Sequence, residues 1–188
     1  MRNKLKIGIV CYPTYGGSGV VATELGTSLA KKGHEIHFIS YSQPFRLDIF
    51  CENTFYHEVS VMEYPLFEYT PYELNLTSKL VDVVRYERLD LLHVHYAIPH
   101  AYSAINAQAI LAQKGIKIPI VTTLHGTDIT LVGKSPSVIS AVNYAINKSS
   151  LVDVKYHDKS TDQMANFSIN NRNYSNEYIN MRKFWKLL

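Results

Sequence analysis

Short apolar runs alternate along the chain with stretches whose apolar positions recur at helical spacing. The short runs, bounded by turn residues, predict buried strands, and the helical periodicity predicts helices that cover them. The pattern predicts strands at Leu5–Cys11, His34–Tyr41, Phe55–Val61, Leu89–His95, Lys117–Leu124 and Leu151–Tyr156, and helices at Val20–Lys32, Tyr72–Glu87, Pro99–Lys114 and Pro136–Lys148. Strands separated by helices predict an α/β fold built on a doubly wound parallel sheet.

A glycine-containing turn, Gly16-Gly17-Ser18-Gly19, joins the first strand to the first helix. Glycines let the backbone approach a ligand closely, and the following helix N-terminus favours an anion such as phosphate. The spacing matches neither the GxGxxG nor the Walker A pattern. A tight turn in which glycine merely fits therefore remains an equal alternative.

Histidines follow two further strands at the edge where a parallel sheet binds ligands. His125-Gly126-Thr127-Asp128 places a histidine where it could donate a hydrogen bond to a developing charge or a sugar hydroxyl, while Asp128 either orients it or stabilises the loop. His93 and His95 point to one face of their strand, as metal ligands can. No third ligand is evident, so we predict ordinary packing there, no metal site and no cofactor.

The bulk composition limits the function classes. The 188 residues suit one sizeable domain, and a net charge of +3 gives no reason to expect a nucleic-acid partner. Two cysteines make no disulfide framework, which predicts a reducing, cytoplasmic location. We expect no membrane span, because no apolar run is long enough. The aromatic residues Phe67, Tyr69 and Tyr72 either line a substrate cleft or cover the edge of the core.

Four separated motifs carry a resemblance to a known family: CYPTYGGSGVVATELG, PFR, LLHVHYAIPHA and IVTTLHGTDITLVG. Together, over about Lys4 to Lys148, they resemble the bacterial retaining glycosyltransferases of family four, which have the GT-B fold. The resemblance is to members that act in bacillithiol biosynthesis. It implies a Rossmann-like domain that binds the acceptor L-malate. It also implies a second, C-terminal domain that binds the donor UDP-N-acetylglucosamine (UDP-GlcNAc).

The resemblance also assigns roles to individual residues. It implies that Gly17, Ser18 and Gly19 lie near the diphosphate and malate, and that Tyr96 and Thr123 contact malate. It implies that His125 contacts the transferred sugar or stabilises the transition state, which makes it the expected catalytic residue. We group Asp128 with the substrate-binding residues. These positions should converge at the carboxyl ends of neighbouring strands, with His125 open to the cleft.

We expect residues 1–165 to form the acceptor-binding domain and residues 166–188 to be a linker-like tail, with the C-terminal donor domain absent. Transfer by this chain alone should then be negligible, and its uncovered surface should bind a donor-binding half or self-associate. Two other function classes remain open at this point. One is a non-catalytic binding or interaction domain from a truncated or split gene, and the other is a metal hydrolase that uses His93 and His95.

Overall fold

The computed structural model describes residues 4–48, 50–61, 66, 68–69 and 71–154, which form one parallel sheet with helices on both faces. Its strands are β1 (Lys6–Val10), β2 (Glu35–Ser40), β3 (Thr54–Glu58), β4 (Leu91–His95), β5 (Ile120–Leu124) and β6 (Leu151–Val154). Its helices are α1 (Ser18–Lys31), α2 (Tyr72–Glu87), α3 (Tyr102–Ala112), α4 (Gly126–Thr130) and α5 (Ile139–Lys148). Helical turns also cover Ala97–Ala101 and Val132–Lys134. The predicted α/β, Rossmann-like doubly wound fold is confirmed.

The strand order is β3-β2-β1-β4-β5-β6, and all the pairings are parallel. The order reverses at β1, whose neighbours are β2 and β4. In open parallel sheets the connections leave such a reversal point in opposite directions, so a crevice forms beyond the carboxyl ends of the strands there. The fold therefore places its ligand crevice over the ends of β1 and β4.

Apolar side chains cover the two faces of the sheet in separate layers. On one face α1 packs Ala22 and Leu29 against Ile9 and Phe38 of the sheet. On the other face the buried residues of α2, α3 and α5 pack against the opposite side of the strands. Burial on both faces explains why β1 is apolar after its first residue, and why all the residues of β4 and β5 are buried.

Several element boundaries differ from the prediction for local reasons. Helix α1 begins at Ser18 rather than Val20, directly after Gly17, whose φ is 59°. Leu89, predicted in a strand, instead closes α2, because Arg88 adopts a left-handed conformation and the Leu89 N–H donates to the Val84 carbonyl. Strand β3 ends at Glu58, three residues earlier than predicted.

Two predicted assignments change near the crevice. The segment after β5, predicted as a loop, forms the short helix α4. The helix predicted from Pro99 begins as a regular helix only at Tyr102, because Ile98 is extended (φ −126°, ψ 140°) inside the preceding turn. Elsewhere, α5 begins at Ile139 rather than Pro136, because residues 136–138 form a turn.

The predicted end of the last strand, beyond Val154, and the predicted tail at 166–188 lie outside the described residues. Among the residues that the structure does describe, no helix has the length and apolar character needed to cross a membrane.

Candidate functional site

The turn after β1 brings backbone rather than side chains to the crevice. Gly17 is exposed, and the Thr14 hydroxyl donates to the Gly16 carbonyl at 2.9 Å. A Cβ at Gly19 would lie 2.5 Å from the Thr14 carbonyl oxygen and 2.9 Å from that of Tyr12. Only glycine fits there, so the close approach of the turn to the start of α1 depends on this residue. The N–H groups of the first helical turn have no partner within α1, which suits an anion.

Tyr96 follows β4 in a backbone conformation that side-chain-bearing residues rarely adopt. Its φ is 81° and its ψ is 141°, a strained combination that typically costs about 1–3 kcal/mol. Two backbone bonds hold it: the Tyr96 N–H donates to the Thr123 carbonyl at 3.0 Å, and its own carbonyl accepts from Ala101 at 3.1 Å. Such strain is concentrated at functional sites, which supports the choice of Tyr96 as a site residue.

Four tyrosines and a histidine form an aromatic group over the ends of β1, β2 and β4, here called the tyrosine cluster: Tyr12, Tyr41, Tyr72, Tyr96 and His100. The Tyr12 ring is central, with centroid distances of 5.3 Å to Tyr96 and 4.5 Å to His100. Tyr41 lies 6.4 Å from Tyr12 and 5.7 Å from Tyr72. The Tyr72 hydroxyl and His100 Nε2 are buried without a hydrogen-bond partner among the described residues. Buried polar atoms usually have a hydrogen-bond partner, and a bound ligand would provide one for these two atoms.

Three imidazoles stack beside this cluster, along β4 and the end of β5. Ring centroids lie 5.0 Å apart for His93 and His95, and 5.3 Å apart for His95 and His125. His95 Nδ1 and His125 Nε2 share a hydrogen bond of 3.1 Å, and the Tyr96 ring lies 4.7 Å from the His125 ring. His125 is consequently 9% exposed, so the prediction that it opens to the cleft overstates its exposure.

Thr123 and Asp128 are buried with partners inside the protein. Thr123 Oγ1 lies 2.8 Å from His93 Nε2. The two Asp128 carboxylate oxygens accept from the backbone N–H groups of Ala97 at 3.0 Å and His125 at 2.8 Å. Asp128 therefore ties the start of α4 to the turn after β4, as the loop-stabilising interpretation requires. Direct ligand contacts by Thr123 and Asp128 stay predictions.

The structure thus brings together Tyr96, Thr123, His125 and Asp128, and it links them to the glycine turn through Tyr12. Tyr12, Tyr41 and His100 also lie at the site, although they are not among the residues predicted from the sequence. A usable signal existed, because Tyr12 and Tyr41 lie just beyond the ends of β1 and β2, where crevice residues are expected.

His93 and His95 do not converge on a metal position. Their rings are stacked with an interplanar angle of 16°, and each uses a ring nitrogen in a hydrogen bond within the protein. Among the described residues, neither His93 nor His95 belongs to a group of three or more His, Cys, Asp or Glu side chains whose ligand atoms lie close enough together to hold a metal ion. These observations give no support to the metal-hydrolase alternative.

Burial shifts the pKa values of the site's titratable groups in the direction that favours their neutral forms. It lowers the pKa of His93 and of His100 to about 4. It raises the pKa of Tyr12 to about 12, so that this phenol stays protonated and can donate. Burial also raises the pKa of Asp128 to about 6, although its two backbone hydrogen bonds act in the opposite direction.

His100 should make the protein acid-sensitive. Its folded-state pKa of about 4 lies below the ordinary value of 6.5. Its contribution to stability is therefore complete above pH 6.5 and is lost as the pH falls towards 4. We expect His100→Gln to reduce the slope of unfolding free energy against pH, between pH 6.5 and 5, by up to about 1.4 kcal/mol per pH unit.

Urea denaturation at several pH values measures this slope. His93 adds an effect of the same sign, whereas Asp128, with its raised pKa, partly opposes both as the pH falls below about 6. Because the variant retains these two groups, parallel curves for the variant and the original chain would show that His100 is not a buried neutral imidazole.

Comparison with known proteins places these features in a family. The model of the family described as Glycosyltransferase Family 4 matches residues 15–154. The match includes the glycine turn, Tyr96, Thr123, His125 and Asp128.

A curated relative extends this match. The chain is 53% identical over 154 residues to the protein named N-acetyl-alpha-D-glucosaminyl L-malate synthase of Bacillus anthracis. That alignment covers 82% of this chain and 40% of the relative, so the chain spans well under half of the relative's length.

Solved structures share the fold at low sequence identity. Sucrose-phosphate synthase from Thermosynechococcus elongatus matches with a TM-score of 0.54 and 14% identity, covering 80% of this chain and 42% of that one. A glycosyltransferase from Rickettsia africae matches with a TM-score of 0.55 and 20% identity, covering 81% and 37%. The fold is thus the one found in GT-B glycosyltransferases. With the family match over residues 15–154, the chain belongs to Glycosyltransferase Family 4.

Proposed function

We propose that this chain provides the acceptor-side half of a retaining glycosyltransferase that transfers N-acetylglucosamine from UDP-GlcNAc to L-malate. The observation that carries the proposal is the 53% identity to a relative whose name states both the sugar and malate. The pathway implied by the resemblance is bacillithiol biosynthesis.

The glycine turn suits the anionic part of such a reaction. Malate carries two carboxylates and the donor carries a diphosphate, and both prefer N–H groups at a helix N-terminus. Gly17 is exposed at the start of α1, and Gly19 lets the turn fold closely against Tyr12 and Thr14. Transfer with retention needs charge stabilisation of the leaving diphosphate, and the turn would supply part of it.

The rings across the crevice would bind and orient the reacting groups. The hydroxyl groups of Tyr12 and Tyr96 can donate hydrogen bonds to a malate carboxylate or accept them from its hydroxyl. His125 lies under Tyr96 and beside His95, so its ring orientation is held by contacts on two sides. On ligand binding it would exchange its hydrogen bond with His95 for one to the sugar or to the charge that develops during transfer, while Asp128 positions the backbone beneath it.

Exposed apolar side chains at the same edge of the sheet suit a second domain as their partner. They lie in the segments that follow β1, β2, β3 and β5: Tyr15, Phe45, Leu66, Tyr69 and Leu131. Tyr15 and Phe45 already pack together, with centroids 4.4 Å apart. Such a surface normally marks an interaction site. We propose that a donor-binding, Rossmann-like half covers it, with self-association of this chain as the alternative outcome.

The burial of His125, which is 9% exposed, favours a second candidate, a non-catalytic binding domain that keeps the fold but does no chemistry. The neighbouring reading frame separates the two. A downstream frame that encodes a Rossmann-like half with a Glu-x7-Glu pattern would support the enzyme and oppose the binding domain.

Malate binding by Tyr96→Phe tests the acceptor site. The substitution removes one hydroxyl and keeps the ring packing. We expect the dissociation constant for malate to rise roughly fivefold, which corresponds to about 1 kcal/mol for one lost hydrogen bond. Calorimetry or NMR during titration of the 188-residue chain with malate measures this dissociation constant.

The matched control is Tyr86→Phe, because Tyr86 is 76% exposed on α2 and belongs to no part of the proposed site. Equal malate affinity in the original chain and both variants would show that the Tyr96 hydroxyl does not bind malate. Absence of malate binding in the original chain would contradict the proposed acceptor role itself.

A further inference from the structure

We propose that His37, His57 and Glu87 form a binding site for a divalent transition-metal ion of the Zn²⁺ class, outside the crevice that the family's chemistry would use. One ligand atom from each residue lies within 4.8 Å of the others. The three come from β2, the edge strand β3 and the last residue of α2. Two imidazoles and a carboxylate are the donor types that zinc prefers.

The fold brings these residues to one face of the sheet. His37 pairs with Phe55 and Ile39 pairs with His57 in the parallel β2–β3 ladder, so the two histidines are diagonal neighbours. Ile39 shares its face with His37 and belongs to the apolar layer that contains α2. His37 is 1% exposed, whereas His57 and Glu87 are half-buried, so the cluster is partly closed to water.

A second carboxylate already orients His37. Glu35 Oε1 lies 3.0 Å from His37 Nε2, and it is itself held by Lys6 Nζ at 2.6 Å. This arrangement leaves His37 Nδ1 facing His57 Nε2 at 2.9 Å. A histidine that donates one ring nitrogen to a carboxylate and presents the other to a cation is the usual arrangement of a metal-bound histidine.

Zinc coordination requires only a small adjustment of this geometry. Zinc–nitrogen bonds of about 2.0–2.1 Å in tetrahedral geometry separate neighbouring ligand atoms by about 3.3 Å. The two histidine nitrogens would therefore move apart by about 0.4 Å and His57 would change tautomer, while the Glu87 carboxylate closes in. Burial lowers the pKa of both imidazoles, which favours the neutral form that binds metal.

The surrounding charges give no large net attraction. Glu35 and Glu87 are balanced by Lys6 and by Lys79, whose charge acts on His57. Affinity must therefore come from the coordinate bonds, with a small contribution from the negative C-terminal end of α2. An ion bound here would fasten the edge strand β3 to β2 and α2, and it would stabilise the folded state by mass action.

Zinc titration of the purified 188-residue chain, against a chromogenic chelator, tests the proposal. We expect one zinc per chain and a thermal midpoint that rises with zinc concentration. Glu87→Gln and His57→Gln should each weaken zinc binding by at least about tenfold. Glu35→Gln should weaken it by roughly tenfold to a hundredfold, as expected for a residue that orients a ligand. Co²⁺ in place of zinc should show the visible absorption of a tetrahedral site.

The matched control is Glu58→Gln, which changes an exposed carboxylate next to His57 in the sequence. It should leave zinc affinity unchanged, and circular dichroism of every variant without metal should match the original chain. Zinc bound with equal affinity by the Glu87 and His57 variants would overturn the proposal, because the ion would then lie elsewhere. Absence of a stoichiometric zinc site in the original chain would overturn it as well.

Discussion

Replacing His125 with alanine should lower the turnover of the complete enzyme by about a hundredfold to a thousandfold, while malate affinity changes little. Loss of one donor aimed at developing charge typically has an effect of this size. His125 lies at the carboxyl end of β5, under Tyr96, where the sugar or its developing charge would meet it. The effect should therefore appear in kcat rather than in KM for malate.

Steady-state kinetics on this chain combined with a donor-binding half measures the two constants separately. His125→Gln, which keeps a hydrogen-bond donor, should retain more turnover than His125→Ala. The control is His34→Gln, because His34 precedes β2 at the opposite end of the sheet and accepts a bond from Leu5 that glutamine can also accept. A higher KM for malate with unchanged kcat in His125→Ala would indicate that His125 binds the acceptor and does not act at the reacting centre.

The substitution Gly19→Ala should have the largest effect of any single change in the turn after β1. The added Cβ would lie 2.5 Å from the Thr14 carbonyl oxygen, 2.7 Å from its hydroxyl and 2.9 Å from the Tyr12 carbonyl oxygen. Two of these atoms belong to the backbone, so the turn itself must shift. We expect a loss of about 1–3 kcal/mol in unfolding free energy. Malate affinity should fall by at least about tenfold, equivalent to roughly 1.4 kcal/mol.

Gly16→Ala is the matched control for this change. A Cβ at Gly16 would meet nothing within 4 Å, and its backbone is not left-handed. Its unfolding free energy should stay within about 0.5 kcal/mol of the original chain. Urea denaturation and malate titration of both variants give the comparison. Equal behaviour of the two alanine variants would mean that the turn is not held by close backbone packing at Gly19.

Much of the fold follows from local patterns in the sequence. Strands such as β1 and β5 are short runs rich in apolar and β-branched residues, and α2 has apolar residues at helical spacing, so their types could be predicted without tertiary information. The helix α4 could not, because Gly126 favours a loop and the helix depends on the hydrogen bonds that Asp128 makes to Ala97 and His125. Tertiary contacts decide the local structure there.

Local sequence patterns likewise identify only part of the candidate site. His125 and Tyr96 could be identified individually, because each directly follows a predicted strand. The contact of Tyr12 with His100 joins residues far apart in the sequence, and only the pairing of β1 with β4 brings them together. The His37–His57 pair likewise depends on the register of β2 and β3, which no local pattern specifies.

Malate-dependent release of UDP from UDP-GlcNAc tests the central proposal most directly. The 188-residue chain is assayed alone, and then together with the part of the Bacillus anthracis relative that it does not match. Positioning and charge stabilisation require both sides of the cleft, so we expect no release above background by the chain alone and clear release by the combination. The control combines the relative's own matched segment with the same remaining part. Release by this chain alone at the rate of the complete relative would contradict the account, as would no release by the combination when the control pair is active.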